Sequence, residues 1–592
     1  MIFGKHINKY YLKYSYLLLG GIFALLLVDF MQLEIPELYR MVLEGIQYGA
    51  VEVREGEIMK FDMNFVLDEI CEPLLWIILA MIFGRFLWRI CLFGAGIQVE
   101  KDIRSKMFNR SKDLSQEYYH KNKVGNMMSL YTNDLETIQE CFGDGVLMFA
   151  DAMLLGVLSI IKMFKMNVVL TLLSLVPMVL LLAVSTVVGK NMMRKWEARQ
   201  EAFSALSDFA QENFSGISVI KAFVKELYEL LAFRKLNKDN EKANIEFTRI
   251  SVLLHIFVTL FVESVICIIL GYGGYLVYLG KFNAARLIEF ISYFTSTIWP
   301  IMAISQLIDM TSRGRASLKR VGELLDREPS VKDREDVCDV EFIKGDIEFK
   351  NLTFRYPEAS YDALTDVSFS IKAGENVGII GKTGSGKTTL VDLILRTYNV
   401  PDGTLFVDGY DVNSIPIKTV RKFSAYVPQD NFLFSDTIQN NIAFATDGGS
   451  QEDVIRAAKL SDVHSNISEF SEKYETVLGE RGVTVSGGQK QRISIARALM
   501  KDASILILDD SVSAVDTETE RAIISNLREN RRAKTTILIA HRITTVEKMD
   551  KIIFIDNGKI IAVGTHTELC AGSPEYAKMV ELQKLEEEKE GA

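Results

Sequence analysis

The chain has 592 residues, too many for one ordinary domain, and its formal net charge of -10 argues against a nucleic-acid partner. Mean hydropathy is positive, +0.14, although 24% of the residues are charged, so the chain is expected to divide between lipid and water. Six scattered cysteines (71, 91, 141, 267, 338 and 570) show neither metal spacing nor a disulfide framework, and simple burial is their expected role.

The first residues, MIFGKHINKYYLKYSY, lack a small-residue cleavage site and predict no cleavable signal. Six apolar segments follow, each near the ~20 residues that cross a bilayer. They are placed at 14–35, 71–95, 142–163, 166–189, 253–278 and 287–310. Basic residues set the orientation. The stretch 95–141 carries seven Lys/Arg and 190–252 carries eleven, whereas 36–70 carries three against eight acids. Both basic connections are therefore expected in the cytoplasm, on the same side as the N-terminus and the C-terminal third. The acidic stretch 36–70 reads as a solvated outer connector, with a cargo or gating contact as the alternative.

Charges inside a span are costly and draw functional scrutiny. Glu263 lies ten residues into the fifth segment, ~15 Å deep at 1.5 Å per residue; a cargo or gating role stands against an internal salt bridge or a hydrogen-bonded structural role. Arg89 is expected to snorkel and the deeper Arg85 to seek an acid, while Asp29 is expected in the hydrated outer half. Phe257, Phe261, Phe290, Phe294, Trp299 and Met302 suit either an adaptable cavity or ordinary helix packing and lipid contact. Pro177 and Pro300 are expected to kink their helices. The segment 316–345 turns from helical to charged and reads as a linker between a membrane domain (1–315) and a soluble domain (346–592). The tail PEYAKMVELQKLEEEKEGA is expected to form a solvated amphipathic helix.

The run GKTGSGKTT (381–389) fits G-x-x-x-x-G-K-[ST], flanked by a strand-like run before it and a helix-like run after it. Glycines turn backbone N–H groups onto phosphates and the following helix adds its positive end. Lys387 is expected to neutralise the outer phosphates of ATP and Thr388 to bind Mg²⁺. Around it, Tyr356 could stack on adenine, and Gln429 could reach Mg²⁺ or the attacking water. Ser486, Gly487 and Gly488 offer a second phosphate-binding turn. SILILDD (504–510) is a buried strand ending in two carboxylates, with Asp509 suited to the metal, and His541 is placed for a γ-phosphate.

In this order the motifs resemble those of an ABC transporter half of the exporter type, with a membrane domain of six helices fused ahead of an α/β P-loop nucleotide-binding domain. The resemblance covers nearly the whole chain. It implies that Tyr356 is the A-loop and that Walker A comprises Gly381, Thr383, Gly384, Ser385, Gly386, Lys387, Thr388 and Thr389. It makes Gln429 the Q-loop, Glu480–Gly482 the X-loop, and Ser486 to Gln489 the signature. Asp509 becomes the Walker B metal ligand, Asp516 the D-loop end and His541 the switch histidine. Two such domains pair head to tail in the family, each signature covering the other's ATP, so a second half is required. Coupling helices are expected near Tyr118–Asn122 and Val224–Leu230. GRFLWRICLFGAG (84–96) is similar to the bacterial multidrug-like subgroup.

One position departs from the family. Glutamate usually follows the Walker B aspartate and orients the attacking water; here the residue is Asp510. One methylene fewer shortens its reach by roughly 1.5 Å, and a ~1 Å misplacement can cost on the order of 100-fold. The same change marks the degenerate site of many heterodimeric bacterial exporters. The implied function is ATP-driven export of amphipathic small molecules through the plasma membrane, with a partner half supplying the Walker B Glu and this chain hydrolysing weakly. The alternatives are an active homodimer in which Asp510 suffices, a lipid flippase, an importer, and a regulatory half without transport of its own.

Overall fold

The computed structural model describes residues 3–590 apart from 55–56, 123, 358, 447, 480–481, 483 and 514. The chain divides into two compact units, Met1–Lys112 with Gly125–Asp326, and Asp113–Val124 with Arg327–Ala592.

The first unit is helical. Its long elements are α1 (Ser15–Tyr48), α2 (Glu72–Asp113), α4 (Leu135–Met166), α5 (Val168–Ser215), α6 (Glu226–Tyr278) and α7 (Ala284–Asp326); a short helix α3 (Gln116–Lys121) follows α2 and packs with the second unit. Among the described residues, α1, α6, α7 and the helical stretches Met63–Asp113 and Val124–Met166 are each long and apolar enough to cross a membrane, and α5 is apolar from Val168 to Leu181. All six expected segments are therefore helical, but the helices run far beyond the apolar windows, because charged faces continue the same periodicity into water. α7, for example, continues through residue 316 to Asp326, the stretch where the linker was expected to begin helical.

α4 lies along α7, and α5 along α6. α1 and α2 approach closely because Gly21 and Gly84 leave room: a Cβ on Gly21 would meet Leu92 Cγ at 2.6 Å, and one on Gly84 would meet Val28 Cγ2 at 2.6 Å. Phe290 and Phe294 are fully buried among Leu33, Leu155 and Ile269, which settles packing for these two, while Trp299 and Met302 stay 43% exposed. Asp29 corrects the hydrated reading. Packing of α1 leaves Asp29 2% exposed, beside Asp151 of α4, which accepts the Trp299 indole N–H at 2.5 Å. Arg85 makes no ion pair among the described residues, and Arg89 rests over Trp88, 5.4 Å from the ring centroid.

The stretch 36–70 is also more ordered than a connector. After α1 it forms an antiparallel hairpin of β1 (Ala50–Arg54) and β2 (Glu57–Lys60), with Val51 buried. Arg40 sits beneath it, 2.8 Å from Glu44 and 3.4 Å from Glu289, and Lys162 reaches Glu34 at 3.0 Å. Buried charges of this kind persist only when paired.

The second unit holds two sheets. An antiparallel sheet has the order β4–β3–β6–β7, formed by β3 (Ile347–Phe354), β4 (Leu364–Ile371), β6 (Leu405–Val407) and β7 (Tyr410–Asp411). The larger sheet comprises β5 (Asn376–Ile380), β8 (Ser424–Val427), β9 (Ile505–Asp509), β10 (Thr535–Ala540), β11 (Lys551–Asp556) and β12 (Lys559–Gly564), in the order β12–β11–β5–β10–β9–β8. All its pairings are parallel except β11 with β12. β5, β9 and β10 are buried along their whole length, as a parallel sheet covered on both faces requires.

Candidate nucleotide-binding site

Parallel pairing brings the carboxyl ends of β5, β10 and β9 together, with Ala540 opposite Ile380 and Ile539 opposite Asp509. Loops leaving these ends form the crevice in which open α/β sheets bind ligands. Walker A leaves β5 and enters α8 (Lys387–Ile394). Glycine is required here on two counts. Gly386 has φ +99°, and a Cβ on Gly381 would lie 2.0 Å from the Ile555 carbonyl oxygen. Lys387 is buried, its ammonium donating to the carbonyls of Gly381 (2.9 Å) and Lys382 (2.8 Å). Burial pulls it below the usual lysine range, and the charges of Asp509 and Asp510 oppose that shift. Ser385 Oγ is buried with no hydrogen-bond partner among the described residues. A buried, unpaired hydroxyl in a glycine-rich turn at a helix start fits a loop built to hold an anion. Thr383, Gly384 and Thr388 are exposed around it, and Thr389 is buried beneath.

Asp509 ends β9 at 1% exposure. Burial raises its pKa, opposed by a hydrogen bond from Thr388 and by the charge of Lys387. Tyr426 on β8 approaches it at 3.5 Å. Asp510 follows with φ +46°, in the left-handed region that aspartate tolerates, and its N–H donates to the Ile539 carbonyl at 3.0 Å. Its carboxylate Oδ2 stands 3.5 Å from Gln429 Nε2 and 3.9 Å from His541 Nε2. These are longer than formed hydrogen bonds, as is common before substrate closes a site.

Tyr356 leaves β3 and meets Phe354 and Tyr398 edge-on, both with ring centroids 5.1 Å away. Its hydroxyl donates to Thr389 Oγ1 at 2.9 Å, and burial pushes its pKa up to about 12. The structure thus brings Tyr356, Walker A, Gln429, Asp509, Asp510 and His541 to one crevice.

The signature stands apart. Ser486 caps α9 (Gly487–Met500) in a reciprocal box, its hydroxyl accepting from Gln489 N at 3.3 Å while Gln489 Oε1 accepts from Ser486 N at 3.0 Å. Ser486 and Gly487 face solvent, Gly488 follows them in the first turn, and none of the four is hydrogen-bonded to Walker A among the described residues. Asp516 caps α10 (Thr517–Asn530). Of the X-loop only Gly482 is described; Glu480 and Arg481 lie outside the described residues.

Sequence reasoning missed Gln583. It lies on α11 (Pro574–Glu590), the amphipathic helix expected on the nucleotide domain, whose Tyr576 and Val580 are buried in the core beside β11. Gln583 Nε2 donates to the His541 carbonyl at 2.7 Å, and its Oε1 accepts from Ile543 N at 2.8 Å. It therefore brackets the backbone that carries the switch histidine. Its charged surroundings, VELQKLEEEKE, give no local signal for this.

Residues 58–301 match the model of the ABC transporter transmembrane region, and 364–513 match that of the ABC transporter domain. The chain is 36% identical to "Probable multidrug resistance ABC transporter ATP-binding/permease protein YheI" of Bacillus subtilis (strain 168), covering 99% of this chain and 98% of that protein. It is 33% identical to "Multidrug resistance-like ATP-binding protein MdlA" of Escherichia coli (strain K12), over 96% and 94%. Among solved structures, a bacterial Atm1-family ABC exporter with ATP bound superposes with TM-score 0.78 over 97% of this chain and 99% of that one, at 24% identity, which shows a shared fold. The chain belongs to the ABC transporters: it is an exporter-type half with fused transmembrane and ATP-binding domains, a multi-pass protein of the bacterial plasma membrane whose nucleotide-binding domain is cytoplasmic.

Proposed function

We propose that this chain is the slow-hydrolysing half of a heterodimeric exporter of amphipathic small molecules. The observation that carries this reading is the short carboxylate of Asp510, whose nearer oxygen remains 3.5 Å from Gln429 and 3.9 Å from His541. The glutamate usual at this position would reach further into the crevice. Phosphates would lie against the Walker A amides and Lys387, with the adenine on Tyr356. Thr388, Asp509 and Gln429 supply the hard oxygen donors that suit Mg²⁺, which when bound offsets charge on the phosphate oxygens. Lys387 would add a fixed positive charge, and His541 a hydrogen bond to the outer phosphate. The exposed Ser486–Gln489 turn would complete a second half's site, where a Walker B Glu carries out rapid turnover.

On the cargo side, α6 carries a groove of about 900 Å³ lined by His255, Thr259, Glu263 and Ser264 together with Ile256 and Leu260. Polar and apolar groups along one helix face suit an amphipathic molecule. Glu263 is exposed to the groove and makes no ion pair among the described residues, which favours the cargo role over an internal salt bridge.

The test is steady-state ATPase of the purified chain in lipid, alone and with a candidate partner half, alongside nucleotide binding. Binding without turnover, rescued by the partner, is expected. Brisk turnover by the chain alone, lost on Asp510→Ala, would establish the homodimer instead. Dye and labelled-lipid transport in proteoliposomes would then separate drug export, lipid flipping and a half without transport.

A further inference from the structure

The switch loop leaves β10 at Ala540 and runs through His541 and Arg542 into a single helical turn, Ile543–Val546. Arg542 is extended, with φ −94° and ψ 133°. Successive side chains on an extended backbone point to opposite sides, so His541 faces the crevice and Arg542 faces away from it. Each meets a carboxylate at the same distance. His541 Nε2 is 3.9 Å from Asp510 Oδ2, and Arg542 Nη1 is 3.9 Å from Glu520 Oε2.

Glu520 belongs to α10, the helix that Asp516 caps, and lies in its first turn, where the positive end of the helix favours a negative side chain. It is 5% exposed. Its Oε1 accepts from the hydroxyl of Thr545, itself buried. Ile523, further along α10, shares a core with Ile543 and Val546. The loop is thus held on two sides: Gln583 fixes its backbone from α11, and Glu520 holds its helical turn and faces its arginine from α10. A buried carboxylate is costly where a neutral side chain of the same shape could accept the same hydroxyl. The bond from Thr545 needs only an oxygen. The negative charge has Arg542 as its ionic partner, the only one among the described residues.

We propose that Glu520 is a positioning residue: through Thr545 and Arg542 it anchors the switch loop and sets how far His541 reaches toward the outer phosphate of ATP. A loop drawn to Glu520 on one side of its backbone is restrained from drifting toward or away from Asp510 on the other. The anchor therefore acts on a nucleotide that carries the outer phosphate and leaves ADP, which lacks it, untouched. This deepens the reading of the crevice as an ATP site and rests on His541 meeting that phosphate.

The test is calorimetric titration of the full-length chain in lipid nanodiscs with Mg-ADP and with Mg-AMP-PNP, an ATP analogue that is not hydrolysed. Glu520→Gln keeps an acceptor for Thr545, and Arg542→Gln alters a half-exposed side chain, so both variants should fold. Each should lower the preference for Mg-AMP-PNP over Mg-ADP by about threefold to fivefold, the range of one weakened charge-assisted hydrogen bond, with Mg-ADP affinity within about twofold of the native chain. In a His541→Ala chain neither change should lower the preference further. A merely structural role would weaken both nucleotides alike or add to the loss in His541→Ala; either result overturns the proposal. His541→Ala by itself separates the anchor from the reading beneath it. A preference lost there but kept in Glu520→Gln and Arg542→Gln overturns the anchor alone. A preference kept in His541→Ala overturns the phosphate contact and the anchor with it.

Discussion

The nucleotide-binding unit and the membrane unit organise their polar groups in opposite ways. In the first, Lys387, Asp509 and His541 are far apart in sequence but gather at the carboxyl ends of adjacent parallel strands, so a few strand ends and the loops leaving them carry the chemistry. In the second, Arg40, Glu44 and Glu289 meet because two long helices happen to present those turns to each other. Phosphate chemistry fixes which residue must stand at each place. A buried charge in a helix bundle needs a partner, and many arrangements supply one. Small chemical changes should therefore cost much in the first unit and less in the second.

Asp510 is the sharpest place to test that contrast. Asp510→Glu should raise ATP turnover of the purified chain by about 100-fold if reach is what limits it. Asp510→Ala should change an already slow turnover little. No gain with glutamate, measured with ATP binding intact, would mean that reach is not limiting and would remove the main support for a degenerate site.

Gln583 asks how far the demand for exact placement extends from the crevice. Gln583→Ala removes two hydrogen bonds to the backbone around His541. It should lower kcat of the assembled pump by about threefold to tenfold, with KM for ATP within about twofold. A rise in KM alone would mean that the bracket serves nucleotide binding rather than the histidine.

Glu263 represents the membrane unit. Glu263→Gln should reduce stimulation of ATPase by cationic amphipaths by about twofold to fivefold, the range of a single exposed charge contact, and leave neutral cargo unaffected. A loss shared by neutral and cationic compounds would return Glu263 to a structural role and weaken the contrast between the units.

How much was legible in the sequence follows the same division. Walker A, Asp509, Asp510, His541 and Gln429 were readable because each sits directly after an apolar strand, in a pattern whose spacing the phosphates dictate. The six spans were readable as apolar windows. Their true ends were not, because helices continue into water wherever a charged face keeps the period. The burial of Asp29 was not readable either, since Asp151 beside it belongs to another helix. Gln583 and Glu520 were not legible at all. Their partners are residues 42 and 25 positions away in sequence, and nothing local marks a glutamine or glutamate for such a contact.

Asp392 gives the smallest expected effect and the one most open to a surprise. It sits on α8 behind Walker A, and burial, with the charge of Asp509 beside it, raises its pKa from 3.8 to about 6. The folded chain therefore holds this proton more tightly than the unfolded chain does. Its contribution to stability is greatest below about pH 4, falls as pH rises towards 6, and is lowest at neutral pH, where a poorly solvated carboxylate faces Asp509. Asparagine carries no such charge and can still accept from Thr397, whose hydrogen bond opposes the shift in the native chain. Asp392→Asn should thus raise the apparent unfolding midpoint of the nucleotide-binding unit at pH 7.5 by a few degrees, as about 1 kcal/mol does for a domain of this size. The gain should vanish near pH 4.5, followed by the same thermal scan of both proteins. An equal gain at both pH values would mean that packing, not charge, separates them. In that case even the nucleotide-binding unit would contain an acid whose identity the phosphates do not dictate.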